Sequence, residues 1–421
     1  MRESKVMKGT LLNKNVLKVI DELRELSGKE PGAESARVAL QGMLEGLIRQ
    51  AESGEGNIER IVEELIDLGL AFPESPLPWR HLSQVWLDRE EWKRARAAAD
   101  QGLKVEPGDV ELVNNRAVAL GRLGDHEAAI VGFKHCIERE PRNTAFYCRL
   151  GDTYRQLKMY EQAEQALHQA LEIDPRCAPA LLGLAVLNND REEWAGCVYF
   201  GELALRYLPG HPETCLVVGD ALLNLHEYEA ALQRLMSATL VDPTFIGAYE
   251  LMSHAYAELG MYELSVGAAR EALRLNPESW RALVNVAYAL GKQERHPQSA
   301  DILEAALKLV PDVENRCEVL WDLGWACYKA GRYKRALACT EQALECGEQP
   351  DLILFFNRGL ILLALGRVDE AEEAYQKAVE RAQAEENHDV LAEASENLGE
   401  LLARKAVKIK SGSVISRLLE G

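Results

Sequence analysis

From Thr144 to Lys158 the large side chains Tyr147, Leu150 and Tyr154, with Gly151 beside them, follow one another at three- and four-residue steps. That is the spacing of one face of an amphipathic helix. A second face follows in Ala163, Leu167 and Ala170, and Pro175 closes it. Proline has no amide hydrogen and disfavours helix in the residue before it. Gly151 and Ala163 stand where two helices must approach closely, and larger side chains would push them apart. The stretch therefore predicts a helical hairpin, which cannot bury both faces alone but can do so when copies stack.

Copies are present. Pro73, Pro107, Pro141, Pro175, Pro209, Pro243, Pro277 and Pro311 recur every 34 residues. Seven units in strict phase are predicted to begin at Pro76, Val110, Thr144, Ala178, Pro212, Ile246 and Trp280. The phase then slips by three residues, so Asp312 to Arg316 is expected as a longer turn. An eighth unit starts near Cys317 and a ninth near Leu352, its second helix running on through Gln383. At the N-terminal end, Leu12, Val16, Val19, Ile20 and Leu23 give residues 10–26 one apolar face, read as a cap. Helices near 34–52 and 57–71 form a degenerate first hairpin, residues 390–406 a capping helix, and Val414, Ile415, Leu418 and Leu419 a short docked segment. The expected divisions are 1–33, 34–75, 76–313, 314–385 and 386–421.

The pattern in Thr144–Pro175, a bulky residue, Leu-Gly, an aromatic, then Ala, a bulky residue and Pro, resembles the tetratricopeptide repeat family. The resemblance implies an all-α fold, a right-handed superhelical α-solenoid of stacked helix-turn-helix units with helical caps. It further implies a concave groove, lined by the second, fifth, sixth and ninth residues of each unit, that holds peptides or partner helices.

Composition agrees with close-packed helices: 47% of residues are hydrophobic but only 6% aromatic. A net charge of −19 argues against binding a phosphate backbone, so nucleic acid is not an expected partner. Nine cysteines show no CxxC pair and are expected to be free, metal-free and small apolar residues in a cytoplasmic protein. No run of 18 apolar residues suggests a membrane span. Phosphate loops, zinc spacings and nucleophile elbows do not occur, and the repeats take up nearly every residue from 34 to 406. Neither catalysis nor a cofactor is expected.

The groove positions that follow from the resemblance differ along the chain. Arg80, His81, Gln84, Asn114, Asn115 and Arg149 come first, then the acids Asp152, Asp220 and Glu250 with His254, then an aromatic and apolar stretch with Val284, Tyr288, Trp321, Trp325 and Phe356. Trp321 and Trp325, one turn apart, are assigned to the groove because Leu320, Leu323 and Gly324 already fill the packing positions; aromatic residues at helical spacing are also ordinary core. Asn115, Asn285, Asn357 and Asn397 share the sixth position and resemble the asparagine ladder of O-GlcNAc transferase, which grips peptide backbone. Arg80, Gln84, Asn115 and Arg149 also match, in part, the carboxylate clamp of co-chaperone members, although Ala145 stands in place of one lysine. Against a clamp stands the reading in which Arg149 pairs with Asp152 along its own helix.

These observations point to an adaptor or scaffold binding protein segments. A chaperone-like assembly factor for a secretion or pilus system, and a regulatory subunit of an enzyme or defence complex, are the alternatives.

Overall fold

The computed structural model describes residues 42, 58–346, 351–384, 387–404 and 413–416. The expected helix at 10–26 and, apart from residue 42, the one at 34–52 lie outside the described residues, as do Leu418 and Leu419. The chain forms two compact units that meet at Leu208 and Pro209, a division falling between hairpins inside the run of seven.

The first unit contains α1 (Ile58–Ala71), α2 (Leu77–Asp88), α3 (Trp92–Val105), α4 (Val110–Arg122), α5 (His126–Arg139), α6 (Thr144–Gln156), α7 (Tyr160–Ile173), α8 (Ala178–Asp190) and α9 (Trp194–Tyr207). The second contains α10 (Pro212–Asn224), α11 (Tyr228–Val241), α12 (Ile246–Glu258), α13 (Tyr262–Leu275), α14 (Trp280–Lys292), α15 (His296–Ala306), α16 (Val313–Lys329), α17 (Tyr333–Cys346), α18 (Leu352–Ala364), α19 (Val368–Ala384) and α20 (His388–Arg404). Among the described residues there is no strand. Within each unit successive helices pack in pairs, α2 on α3, α4 on α5 and so on, and each pair packs on the next.

Small residues at two fixed positions bring each pair together. The eighth residue of the first helix is Gly151 in α6, Gly219 in α10 and Gly359 in α18, and Gly324 takes the same place in α16, which starts four residues earlier. A Cβ at these glycines would lie 2.8 Å from Leu167, 2.7 Å from Leu235, 2.9 Å from Thr340 and 2.7 Å from Tyr375. On the partner helices, Ala95, Ala129, Ala163, Cys197, Ala231, Ser265 and Ser299 face the same contact and are buried. Where that contact is polar, its hydroxyls are satisfied across the pair. Ser253 donates to the Ser265 carbonyl at 2.9 Å and Ser299 to the Ala287 carbonyl at 2.7 Å.

The link between paired helices is equally regular. One residue of each link has a left-handed backbone: Glu90, Gly124, Lys158, Glu192, His226, Gly260 and Glu294, every 34 residues, then Gly331 and Gly366. Five of the nine carry side chains at φ near 60°, a conformation that costs an L-residue about 1–2 kcal/mol. Helix starts are capped where the sequence supplies a short polar side chain: Asp109 accepts from the Leu112 amide, Asp125 from Ala128, Asn143 from Ala145 and Ser279 from Ala282.

The expected long turn at Asp312–Arg316 is instead helix. Asp312 accepts a hydrogen bond from the Asn315 amide and starts α16 at Val313, so the slip lengthens the first helix of the eighth unit. The loop that α16 replaces had been expected only because the packing pattern restarts near Cys317.

At the C-terminal end α20 packs on both α18 and α19. Leu398 and Leu401 of α20, together with Val414 and Ile415, are buried in one core with α16 to α19. The Val414 amide donates to Glu372 of α19, and Lys329 of α16 donates to Glu400 of α20 at 3.0 Å.

Candidate functional site

In the first unit the groove candidates form a hydrogen-bonded chain. Asn115 of α4 donates to the Ser83 hydroxyl of α2 at 3.0 Å, and Ser83 donates to the Arg80 carbonyl at 2.7 Å. Asn114 donates to the Asn115 side-chain oxygen at 3.2 Å, and Arg149 of α6 donates to the Asn114 side-chain amide oxygen at 2.7 Å. Asn114 and Asn115 are buried, at 8% and 4% exposure. They stitch α2, α4 and α6 together and are not open ladder amides. The structure likewise closes the matching position at the C-terminal end, where Asn357 is 7% exposed.

Two clamp candidates are engaged differently from the sequence expectation. Arg80 does not stand free: it is bonded to Asp109 and lies 3.1 Å from Glu111, so its charge is already met. Gln84 is exposed and donates to Asp88 at 2.7 Å, and His81 is half-buried. The pairing of Arg149 with Asp152 does not form, because Arg155 and Gln156 take Asp152. Arg149 keeps access to solvent, its hydrogen-bond partner is an amide, and among the described residues no carboxylate lies within ion-pair distance. Burial among its neighbours lowers its guanidinium from the usual arginine value.

In the second unit Asn285 is half-buried and donates to the Glu250 carbonyl at 2.7 Å, tying α14 to α12. Phe356 is a correction: it is 2% exposed and packs against Tyr375, with ring centres 6.0 Å apart. The cause is α20, which covers α18, so nearly every residue of Leu352–Ala364 is buried. Trp321 is half-buried against the same core.

Tyr288 and Trp325 do come together. They line a pocket of about 320 Å³ where α14, α15 and α16 meet, with Val284, Lys292, His296 and Asp322. Tyr288 is 36% exposed and its hydroxyl donates to Glu258 of α12. Burial and that carboxylate push the phenol well above its ordinary value. Trp325 stacks on Tyr328, centres 5.4 Å apart, and the Lys329 ammonium sits 4.8 Å from the Trp325 ring centre. The Lys292 ammonium lies 5.0 Å from the centre of the Tyr288 ring. Both rings thus already attract cations.

Asp322 is the residue that sequence reasoning missed. It stands at the sixth position of its unit, where Asn115, Asn285 and Asn357 stand in theirs. It is exposed to water at the pocket, and partial desolvation by the pocket walls, with Glu318 one turn away, pushes its carboxyl up to about 6. The available signal was an acid in a series of amides.

None of the nine cysteines is in a disulfide. Cys148 and Cys177 approach to 3.9 Å, and burial pushes the Cys148 thiol up to about 12. Among the described residues no group of three side chains could hold a metal ion, and no helix is long and apolar enough to cross a membrane.

Four models, each described as a tetratricopeptide repeat, match residues 83–133 and 321–388, 145–177, 246–279, and 281–349. Among curated relatives, anaphase-promoting complex subunit 3 of Schizosaccharomyces pombe is 24% identical over 53% of this chain and 33% of its own length. Protein FlbA of Caulobacter vibrioides is 28% identical over 52% of this chain and 37% of its own. The chain therefore spans about a third of the length of these two relatives. The repeat protein YpiA of Bacillus subtilis is 22% identical over 70% of this chain and 69% of its own length. A solved tetratricopeptide repeat protein from Parabacteroides merdae shares the fold, with a TM-score of 0.50, 17% identity, and coverage of 60% of this chain and 98% of its own.

Proposed function

The chain belongs to the tetratricopeptide repeat family, and from that premise we propose that it is a non-enzymatic scaffold that receives a segment of a partner protein in the pocket of α14, α15 and α16. Members of the family generally mediate protein–protein interactions. One observation carries the choice of place. Tyr288 and Trp325, on the first helices of successive hairpins, wall a half-open pocket that also presents a carboxylate, Asp322. Large aromatic walls with a few convergent polar groups are what a bound side chain needs. The other first-helix candidates offer less, because Phe356 and Asn357 are covered and Asn114 and Asn115 are spent on holding helices together. Arg80 is neutralised.

Site-directed photocrosslinking tests the reading. A benzophenone amino acid replaces Tyr288 or, as a control in the same unit, the 52%-exposed Leu264 of α13. In cells of the source organism the Tyr288 probe is expected to capture a defined partner band that the Leu264 probe does not. Equal capture from both positions, or none from Tyr288, rejects this pocket as the receiving site.

A further inference from the structure

Asp322 differs from other acids on α12, α15 and α16. Glu258 accepts from Tyr288, Glu250 accepts from Ser279 at 2.5 Å, Glu304 holds Arg335 at 2.6 Å, and Asp301 holds Arg332 at 2.6 Å. Asp322 has no hydrogen-bond donor and no cation within 4 Å among the described residues, and its one charged neighbour of note is another acid, Glu318. The two nearby lysines are occupied: Lys292 lies over Tyr288, and Lys329 lies over Trp325 while bonded to Glu400. Asp322 is therefore an unpaired carboxylate that is open to water and lies beside two aromatic rings, available to a cation that enters the pocket.

The walls say which counter-charge fits. A guanidinium is planar, stacks on aromatic faces and is more weakly hydrated than an ammonium, so it enters a partly dry aromatic pocket at lower cost than lysine does. Its fork of donors can bond both carboxylate oxygens at once. The net charge of −19 further favours encounter with basic segments.

We propose that this pocket holds the guanidinium of an arginine on the partner segment, with Asp322 as its counter-charge and Tyr288 and Trp325 as its walls. The assignment rests on the pocket being the receiving site and adds the chemical class of what is received.

The test uses the full chain carrying 5-fluorotryptophan, with the Trp325 fluorine resonance assigned from Trp325→Phe. N-acetyl-arginine methylamide is titrated against its uncharged isostere N-acetyl-citrulline methylamide and against N-acetyl-lysine methylamide. The arginine probe is expected to shift the Trp325 resonance saturably, with the citrulline probe at least about tenfold weaker, the loss expected for a charge-assisted hydrogen bond. The lysine probe falls between them. Asp322→Asn, which keeps size and shape, is expected to bring the arginine probe down to the citrulline level. Citrulline or lysine binding as tightly as arginine, no saturable arginine binding, or an unaffected Asp322→Asn variant overturns the proposal. If Tyr288 still crosslinks a partner in that case, the receiving site stands and only the arginine assignment falls.

Discussion

Partial desolvation by the pocket walls and the neighbouring acid Glu318 push the Asp322 carboxyl up to about 6 in the folded chain, whereas the unfolded chain releases its proton near 4. Between those values the folded state binds more protons than the unfolded state. Stability from this group is therefore greatest below pH 4, falls as pH rises through that window, and stays low above 6. Asp322→Asn is expected to raise the melting temperature at pH 7.5 and to leave it nearly unchanged at pH 4, with solvent access limiting the size of the gain. An equal shift at both pH values would show that the carboxylate charge is not the cause. At this scale the sequence was partly legible. Tyr288 and Trp325 share the ninth position of their units, which the resemblance to the repeat family, rather than helical spacing, assigns to the groove. The closing of Asn114, Asn115 and Arg80 could not, because each closes through a residue about 30 positions away: Arg149, Ser83 and Asp109. Asp322 was hidden because its importance lies in what fails to surround it.

Among the elements, the hairpin contact is the most exacting. Gly151 has the Leu167 side chain 2.8 Å and the Ala163 carbonyl 3.3 Å from where a Cβ would stand, and backbone cannot move aside as a side-chain tip can. Gly151→Leu is expected to destabilise by about 1–3 kcal/mol through overpacking, read as a lower chemical-denaturation midpoint. A midpoint equal to the wild-type value would count against the packing of α6 on α7. Helix identity and pairing were legible here because period, small residues and prolines all point the same way. The start of α16 was not. Its extra first turn has one apolar residue, the exposed Val313, followed by Glu314, Asn315 and Arg316, so no apolar stripe announces it, and only the cap at Asp312 does.

Within each of the two compact units the described helices pair and stack as the repeat reading expects, until the C-terminal end. There α20 and the Val414–Ile415 segment turn what would have been an open face of α18 into core. A sequence pattern records which residues are apolar, but not which later element returns to cover them, and so Phe356 looked available. Removing residues 388–421 is expected to expose the apolar row of α18, giving increased binding of a hydrophobic dye and a lower melting temperature. Unchanged dye binding and melting would mean that α20 contributes nothing to that core. The crosslinking and arginine tests concern a pocket formed by α14 to α16, so they are read on the complete chain.

The left-handed residue that returns at positions 90, 124, 158, 192, 226, 260 and 294 has a consequence for chain length. Between any two neighbours of that series lies one second helix, one linker and one first helix, and the backbone leaves the segment in the conformation with which it entered. Excising residues 125–158 would join Gly124 to Met159, so that α4 is followed by α7 through a link with the same left-handed geometry, and Ala117 would meet Ala163 as small against small. Such a shortened chain is expected to fold cooperatively with unchanged helical content per residue. Deletion of residues 125–154 instead leaves Arg155 to Lys158 as four extra residues in the link and loses the left-handed register, and is expected to melt at a lower temperature than the 34-residue deletion. Copy number in this molecule is thus an adjustable quantity, quantised in steps of 34.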